Sequence, residues 1–139
     1  MDDFIKSVVE QLGIDESVTR NATGSVLGFL KENMGDDFSQ LAEKLPGADA
    51  LISSAAEAAP AEGGGGGMLG GLASAASSML GSSAGEGLEL MSLLKNLGLS
   101  TDQGGSLVTM LISFIKEKLG DTVIGQIAEK IPALKAFLG

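Results

Sequence analysis

The chain has 139 residues, of which 44% are hydrophobic and only 4% aromatic, and it contains no histidine, cysteine, tryptophan or tyrosine. Nine basic and eighteen acidic residues give a net charge of -9, which disfavours binding to nucleic acid and to anionic membranes. Without histidine and cysteine the chain lacks the commonest general base, the thiolate nucleophile and the usual zinc ligands, so we expect no enzyme, no metal site and no cofactor.

The location of the protein is predicted from its N-terminus and its uncharged stretches. Lys6 and Glu10 interrupt the first apolar stretch, so no signal peptide is predicted and a cytoplasmic location is expected. Residues 63–85 and 103–115 are the candidate membrane spans. The first is diluted by Gly and Ser, and the second is shorter than the roughly twenty apolar residues that a span requires. We therefore expect no membrane-spanning helix, and a membrane is a disfavoured partner.

Apolar residues at helical spacing predict three helices in residues 1–52, with glycine and aspartate at their ends. The first helix is expected to end at Gly13 in the left-handed conformation, and Asp15 is expected to cap the second. The second helix ends at Gly35, beside Asp36 as the next predicted cap. Pro46 then suits the first turn of a further helix.

Residues 53–85 are rich in Ala, Gly and Ser and are predicted to form a linker. Five consecutive glycines at 63–67 predict a flexible chain, and the alternative of a phosphate-binding loop lacks the Lys-Ser/Thr pair and the preceding strand. Residues 68–80 predict a short helix of small residues that needs a partner surface to form. This surface could be the core of the chain, a protein partner or a lipid.

The second part of the chain repeats the first. A shift of 85 residues places Phe29 on Phe114 and Gly35 on Gly120, and after one inserted residue Pro46 falls on Pro132. Ser100 takes the place of the cap Asp15, with Gln103 three residues later at the spacing of a capping box. We therefore predict an all-α protein with two copies of a three- to four-helix unit, residues 1–52 and 86–139. The two copies are expected to pack with pseudo-two-fold symmetry around one shared core, because repeats of this length bury their apolar faces against each other.

The second helices of the two copies differ in composition. Residues 107–115 read LVTMLISFI and are apolar on almost every face, whereas residues 22–30 contain threonine, serine and two glycines. A helix that is apolar on all sides is normally surrounded by protein. We therefore expect the second helix of the C-terminal copy to lie at the centre, against the other copy, a second subunit or an apolar ligand.

The paired carboxylates at Asp36 and Asp37, with Asp121 in the other copy, are candidates for a metal site. Helix capping explains them better, since aspartate after a glycine that ends a helix is typical of two consecutive helices. Their spacing does not match a calcium-binding loop. An enzyme that uses carboxylates and lysine alone is the least favoured reading.

Four features together resemble a known family. They are the LG junctions at 12–15 and 97–100, the GDDF motif at 35–38, the LPG motif at 45–47 and the glycine-rich GGGGGMLGGLAS centre. With the repeat, they resemble the uncharacterised bacterial family labelled VcgC/VcgE. The resemblance implies a bacterial origin and a helical domain, and it assigns no chemistry to any residue.

We expect a non-enzymatic interaction or structural module that self-associates or binds a protein partner through aliphatic helix faces. The alternative is a carrier that holds an apolar small molecule or lipid between the two copies. An exposed apolar patch of several hundred Å² would indicate the module, and a lined cavity of roughly 300 Å³ or more would indicate the carrier. The residues expected at the interface or against the ligand are Met68, Leu69, Leu72, Met79, Leu80, Leu107, Met110, Leu111 and Phe114.

Overall fold

A computed structural model of the chain describes residues 1–58 and 83–138, and every regular element within these ranges is helical, which confirms the predicted all-α class. The N-terminal half consists of α1 (Asp2–Leu12), α2 (Glu16–Met34), α3 (Asp37–Lys44) and α4 (Ala48–Ala58). The C-terminal half consists of α5 (Ser83–Asn96), α6 (Thr101–Leu119), α7 (Asp121–Lys130), a 3-10 turn (Pro132–Leu134) and α8 (Lys135–Leu138). The five glycines at 63–67 and the predicted helix at 68–80 lie outside the described residues.

The predicted helix ends are confirmed at three junctions. Gly13 adopts the left-handed conformation with φ 62° after α1. The carboxylate of Asp15 accepts a hydrogen bond of 2.9 Å from the backbone N–H of Ser17 at the start of α2. At the start of α6, Ser100 and Gln103 form a reciprocal capping box, in which each side chain accepts a hydrogen bond from the other residue's backbone N–H.

Capping by Asp36 and Asp121 was expected and is wrong. Asp36 has helical backbone angles, φ −62° and ψ −30°, and its side chain makes no capping hydrogen bond. A capping residue needs an extended backbone so that its side chain can turn back to the first N–H groups. Gly120 holds the capping position of α7, and Asp121, in the first turn, instead forms an exposed ion pair of 3.0 Å with Lys116.

Helix α2 lies at the centre of the described structure. It packs against α1, α3 and α4 of its own half and against α5, α6 and α7 of the other half. Leucine, isoleucine, valine and phenylalanine side chains from both halves form one hydrophobic core. In that core the fully buried Leu27 and Leu30 of α2 accompany Leu107 and Leu111 of α6.

The second helix of the C-terminal copy, α6, also packs against the other half, through α1, α2 and α3, but it is less completely buried than α2. Residues 22–30 of α2 are buried throughout except for the half-buried Gly28, whereas α6 exposes Thr109 and Ser113, one turn apart. The hydroxyl of Thr109 remains in solvent and donates a hydrogen bond of 3.0 Å to the carbonyl of Gly105. In α2 the small side chains allow neighbouring helices to approach, so they mark a surrounded helix rather than an exposed one.

The closest helix packing is between α2 and α4. Gly24 faces the backbone of Leu51, and a β-carbon at Gly24 would lie only 2.8 Å from the β-carbon of Ala55. At Gly28, one turn later, a β-carbon would meet the side chain of Ile52 at 3.8 Å, an ordinary contact distance. Glycine at position 24 is therefore what permits α4 to cover α2.

None of the helices in residues 1–58 and 83–138 has both the length and the hydropathy needed to cross a membrane. This includes α6, which contains the candidate stretch 103–115.

Candidate functional site

The two halves meet along one continuous seam, which we call the interhalf seam. It is formed where α1 contacts α6, where α2 contacts α5, α6 and α7, and where α3 contacts α6. The predicted site residues of the second half belong to α6, the helix of that half that contacts the most elements of the other half. The seam is therefore the place where a site between the copies would have to lie.

Phe114 lies at the seam and contacts the other half directly. Its ring centroid is 5.3 Å from that of Phe4 on α1, with the planes inclined at 43°. The ammonium group of Lys118, one turn along α6, lies 5.5 Å from the same centroid, a distance suited to a cation–π contact. Phe114 is thus half-buried between an aromatic ring and a cation, and only part of its surface is accessible to a partner.

Two polar links join the halves beside the apolar contacts. The side-chain amide of Gln103 donates a hydrogen bond of 3.4 Å to the carbonyl of Leu12 at the end of α1. Lys130 on α7 lies 3.7 Å from the carboxylate of Asp37 on α3. Both links are at the margins of the seam, where they orient the halves more than they stabilise them.

The structure divides the predicted site residues into three groups. Leu107 and Leu111 are 0% exposed and belong to the core. Met110 and Phe114 are half-buried and pack on the edge of the core. The remaining five predicted residues lie outside the described ranges, and they are Met68, Leu69, Leu72, Met79 and Leu80.

Half-buried apolar side chains at matched positions distinguish the C-terminal half from the N-terminal half. Phe29 is 6% exposed, whereas its counterpart Phe114 is half-buried. Phe38 lies three residues before the buried Leu41, and Ile124 lies three residues before the buried Ile127. Phe38 is 2% exposed, whereas Ile124 is half-buried. At these two positions the C-terminal half is less completely covered, whereas the reverse holds at Val9, which is half-buried where its counterpart Leu94 is buried.

The difference follows from the elements that cover each half. The N-terminal half is covered by the eleven residues of α4, and the C-terminal half by the four residues of α8, which ends the described chain. Sequence reasoning missed Val123, Ile124 and Phe137 as accessible apolar residues.

One cleft, of about 320 Å³, lies in the N-terminal half among α2, α3 and α4. It is open to solvent, and charged side chains line it: Lys31, Glu43 and Asp49 beside Phe38. Lys31 and Asp49 form an exposed ion pair of 3.9 Å across it. A charged, open cleft within one half differs from the apolar cavity between two copies that a carrier requires.

A carboxylate pair at the seam was also missed by sequence reasoning. Glu89 on α5 is half-buried, and its Oε1 atom is fully buried with no hydrogen-bond partner. The pKa of Glu32 on α2 is raised above its usual value, first by partial burial and second by the negative charge of Glu89. Neither residue stands out in the sequence, because their proximity depends on how α2 and α5 pack.

The candidate carboxylates for a metal site do not converge. Asp36 and Asp121 lie at the starts of two different helices, α3 and α7. Among residues 1–58 and 83–138 no three acidic side chains come together in a group that could hold a metal ion.

A family model described as "Protein of unknown function VcgC/VcgE" matches residues 1–132. No curated protein and no solved structure matches the chain. The family match extends over both halves and the glycine-rich centre, so the resemblance predicted from those motifs is confirmed. Because the family has no assigned activity, any function must be argued from the residues of this chain.

Proposed function

This chain belongs to the family of unknown function VcgC/VcgE, and we propose that it is a non-enzymatic interaction module that self-associates or binds a protein partner through aliphatic helix faces. The observation that carries the proposal is the incomplete cover of the C-terminal half. There Met110, Phe114, Val123, Ile124 and Phe137 are all half-buried. An apolar helix face from a partner would cover them as α4 covers the N-terminal half.

The proposal includes a pseudo-two-fold arrangement of two copies with one shared core. Its support is the reciprocity of the contacts across the seam. The counterparts of α1, α2 and α3 are α5, α6 and α7. Helix α1 contacts α6 and, reciprocally, α5 contacts α2; helix α2 contacts α7 and, reciprocally, α6 contacts α3. Reciprocal contacts of this kind are the signature of a two-fold interface. In such an arrangement the half-buried apolar side chains of α6, α7 and α8 are the natural side for a partner.

The charge distribution and the composition support a protein partner over other classes. A net charge of -9 opposes phosphate-rich partners, and the accessible residues are aliphatic or aromatic. The half-buried apolar side chains are therefore the feature on which the proposed function rests.

The experiment is light scattering coupled to size exclusion, with native mass spectrometry at the same concentrations. Val123→Ser removes apolar area from the incompletely covered half, and Val18→Ser is the matched control, because Val18 is a half-buried valine of α2. We expect Val123→Ser to shift the protein towards monomer, or to abolish co-purification of a defined partner, while Val18→Ser leaves both unchanged. Equal effects of the two variants would contradict the proposal.

The alternative is a carrier of an apolar small molecule or lipid, and it predicts a different result in native mass spectrometry. A carrier retains a mass above that of the chain that is lost on denaturation. The described part of the seam contains the fully buried side chains of Leu107 and Leu111. The packing therefore favours the interaction module over the carrier.

A further inference from the structure

We propose that the open cleft of the N-terminal half receives the C-terminal half of a second copy of this chain, so that copies associate head to tail. The surface offered to the cleft is formed by Val123, Ile124, Lys135 and Phe137, and we call it the α7–α8 face. The inference rests on the proposed self-association and deepens it, because it names a second copy as the partner and assigns one surface to each side of the contact.

The cleft among α2, α3 and α4 combines an apolar wall with an acidic rim. Phe38 is 2% exposed and Ala42 is half-buried, whereas Glu43 and Asp49 are exposed. Lys31 is the basic residue that lines the cleft, and its ammonium group lies 3.9 Å from Asp49, near the limit for an ion pair. The cleft therefore keeps a net negative charge beside apolar surface, and it suits a partner that carries a cation next to apolar side chains.

The two halves differ strongly in charge. Residues 1–58 contain eleven acidic and four basic residues, whereas residues 83–138 contain six acidic and five basic residues. The N-terminal half therefore carries most of the negative charge of the chain. Two N-terminal halves repel each other, so a second copy meets the least repulsion when it presents its C-terminal half.

The repeat reverses a charge at the cleft. After the inserted residue, Asp49 in the first turn of α4 falls on Lys135 in the first turn of α8, and both side chains are exposed. The residues directly before them, Ala48 and Leu134, are each 1% exposed. This common burial supports the same placement of the two charged residues on their halves. The C-terminal half thus presents an ammonium group where the cleft presents a carboxylate.

This reversal selects between the possible contacts of two copies. When equivalent faces of two related units meet, equivalent positions come close to each other. A contact between two N-terminal halves would place Asp49 opposite Asp49, and one between two C-terminal halves would place Lys135 opposite Lys135. Like charges across an interface are costly, whereas a contact of one half with the other brings opposite charges together. The charge pattern therefore favours the head-to-tail contact.

The α7–α8 face has an available cation beside apolar side chains. Lys135 makes no ion pair with any carboxylate of residues 1–58 and 83–138, whereas Lys116 is held by Asp121 at 3.0 Å. The three apolar members of the face are half-buried, and α7 packs against α8. The face thus offers the combination of charge and apolar surface that complements the cleft.

The two surfaces belong to different halves, so the contact is heterologous. One contact leaves an open cleft on one copy and an open α7–α8 face on the other. Further copies add in the same way unless the rotation between them closes a ring. We therefore expect the mass of the assembly to pass that of a dimer as the concentration rises.

The test is light scattering of the full chain over a concentration series up to about 1 mM. We expect Asp49→Lys and Lys135→Glu each to raise the concentration at which the mass begins to grow by about tenfold or more, because each places like charges at the contact. The double variant exchanges the two charges and should restore association to that of the parent. Both residues are exposed, so circular dichroism should show parent helix content in every variant.

Glu57→Lys is the matched control for Asp49→Lys. Glu57 is an exposed residue of the same helix, eight residues after Asp49 and outside the cleft. Both variants make the chain less negative, which by itself favours association. A loss of association in Asp49→Lys alone must therefore come from the cleft, and Glu57→Lys should associate at least as well as the parent.

Several results would overturn the head-to-tail contact. They are single variants that associate as the parent does, a double variant no better than the single ones, and an assembly that stops at two copies. A parent that stays monomeric at about 1 mM, and binds a lysine-rich peptide only when Asp49 is present, would assign the cleft to a basic partner instead.

The failure of this inference differs from the failure of the proposed function. If Val123→Ser weakens association while Asp49→Lys does not, the apolar side chains of the C-terminal half still form an interface, and the cleft is not its other side. If neither variant changes association or partner binding, both proposals are wrong.

Discussion

The ring of Phe4 on α1 packs against the ring of Phe114 on α6 at a centroid distance of 5.3 Å, and this contact joins residues that are 110 positions apart in the chain. The chain has only five phenylalanines and no other aromatic residue. Two of the five are therefore used at a single contact across the interhalf seam. Its inclined geometry is one that aromatic pairs favour, and it ties the first helix to the second copy.

We expect Phe4→Leu and Phe114→Leu to be coupled in their effects on stability. Leucine retains aliphatic bulk but loses the ring contact, so a double-mutant cycle should give a coupling free energy of about 0.5–1.5 kcal/mol. The measurement is urea unfolding followed by far-ultraviolet circular dichroism. As a control, a cycle between Phe4→Leu and Phe38→Leu should be additive, since these two rings form no aromatic pair. Equal coupling in the two cycles would show that the ring contact carries no specific energy.

Gly24→Ala should separate α4 from α2. The added β-carbon would collide with the backbone of Leu51, which cannot rotate away as a side chain could. Overpacking of this kind costs about 1–3 kcal/mol, more than the roughly 1 kcal/mol that alanine gains over glycine in a helix. We therefore expect a net loss of stability, and faster hydrogen exchange of the amides of α4 than of α2.

Two further glycines provide the controls. A β-carbon at Gly28 would lie at an ordinary contact distance from the side chain of Ile52, and a β-carbon at Gly125 on α7 would have open space around it. Alanine at either position should stabilise the protein by about 0.5–1 kcal/mol, because it favours the helix without a collision. If Gly24→Ala behaves as these two do, the close approach of α2 and α4 is not a constraint on the sequence.

The sequence predicted the helices well because their ends depend on local chemistry. Gly13, Asp15 and the Ser100–Gln103 pair act on the backbone within a few residues, so their roles follow from spacing alone. Asp36 was mistaken for a cap because glycine followed by aspartate fits a cap, while its backbone continues in the helical conformation. The sequence pattern does not distinguish these two cases.

The most completely buried helix is not the one that hydrophobicity indicated, for a reason that concerns packing. Hydrophobicity identified residues 107–115 as the most apolar stretch, but the surrounded helix is α2, which contains Gly24 and Thr23. Thr23 satisfies its hydroxyl within the helix by donating to the carbonyl of Thr19 at 2.7 Å, so it is buried without needing an external partner. Small size, and not hydrophobicity, decides which helix can be approached from several sides.

The accessible residues of the C-terminal half could not be ranked from the sequence either. Leu111 and Ile124 are both aliphatic residues at helical spacing, yet one is 0% exposed and the other half-buried. Which of them is covered depends on the helices that pack around α6 and α7, and this appears only once both halves are assembled.

Ser100→Ala should destabilise the protein by about 1 kcal/mol through loss of the capping box of α6. The backbone N–H of Gln103 would lose its acceptor, and the side chain of Gln103 would be freer to leave the carbonyl of Leu12 on the other half. Ser106→Ala is the matched control, since Ser106 is an exposed serine within the same helix. We expect that variant to be neutral or slightly stabilising in urea unfolding. If Ser106→Ala lowers the free energy of unfolding as much as Ser100→Ala does, the loss does not come from the capping box.

Leu111→Ala and Met110→Ala should separate folding from association on one helix. Leu111 is fully buried, so its truncation leaves a cavity and should cost about 2–5 kcal/mol. Met110 is half-buried beside it, so we expect Met110→Ala to cost about 1 kcal/mol or less, as is usual for positions away from the core. Under the proposed interaction function, Met110→Ala should nevertheless weaken association measured by light scattering in the concentration range where the parent chain assembles. A Met110→Ala variant that associates as the parent does would exclude this edge of α6 from the interface, and partner binding would then have to use the α7 residues Val123 and Ile124.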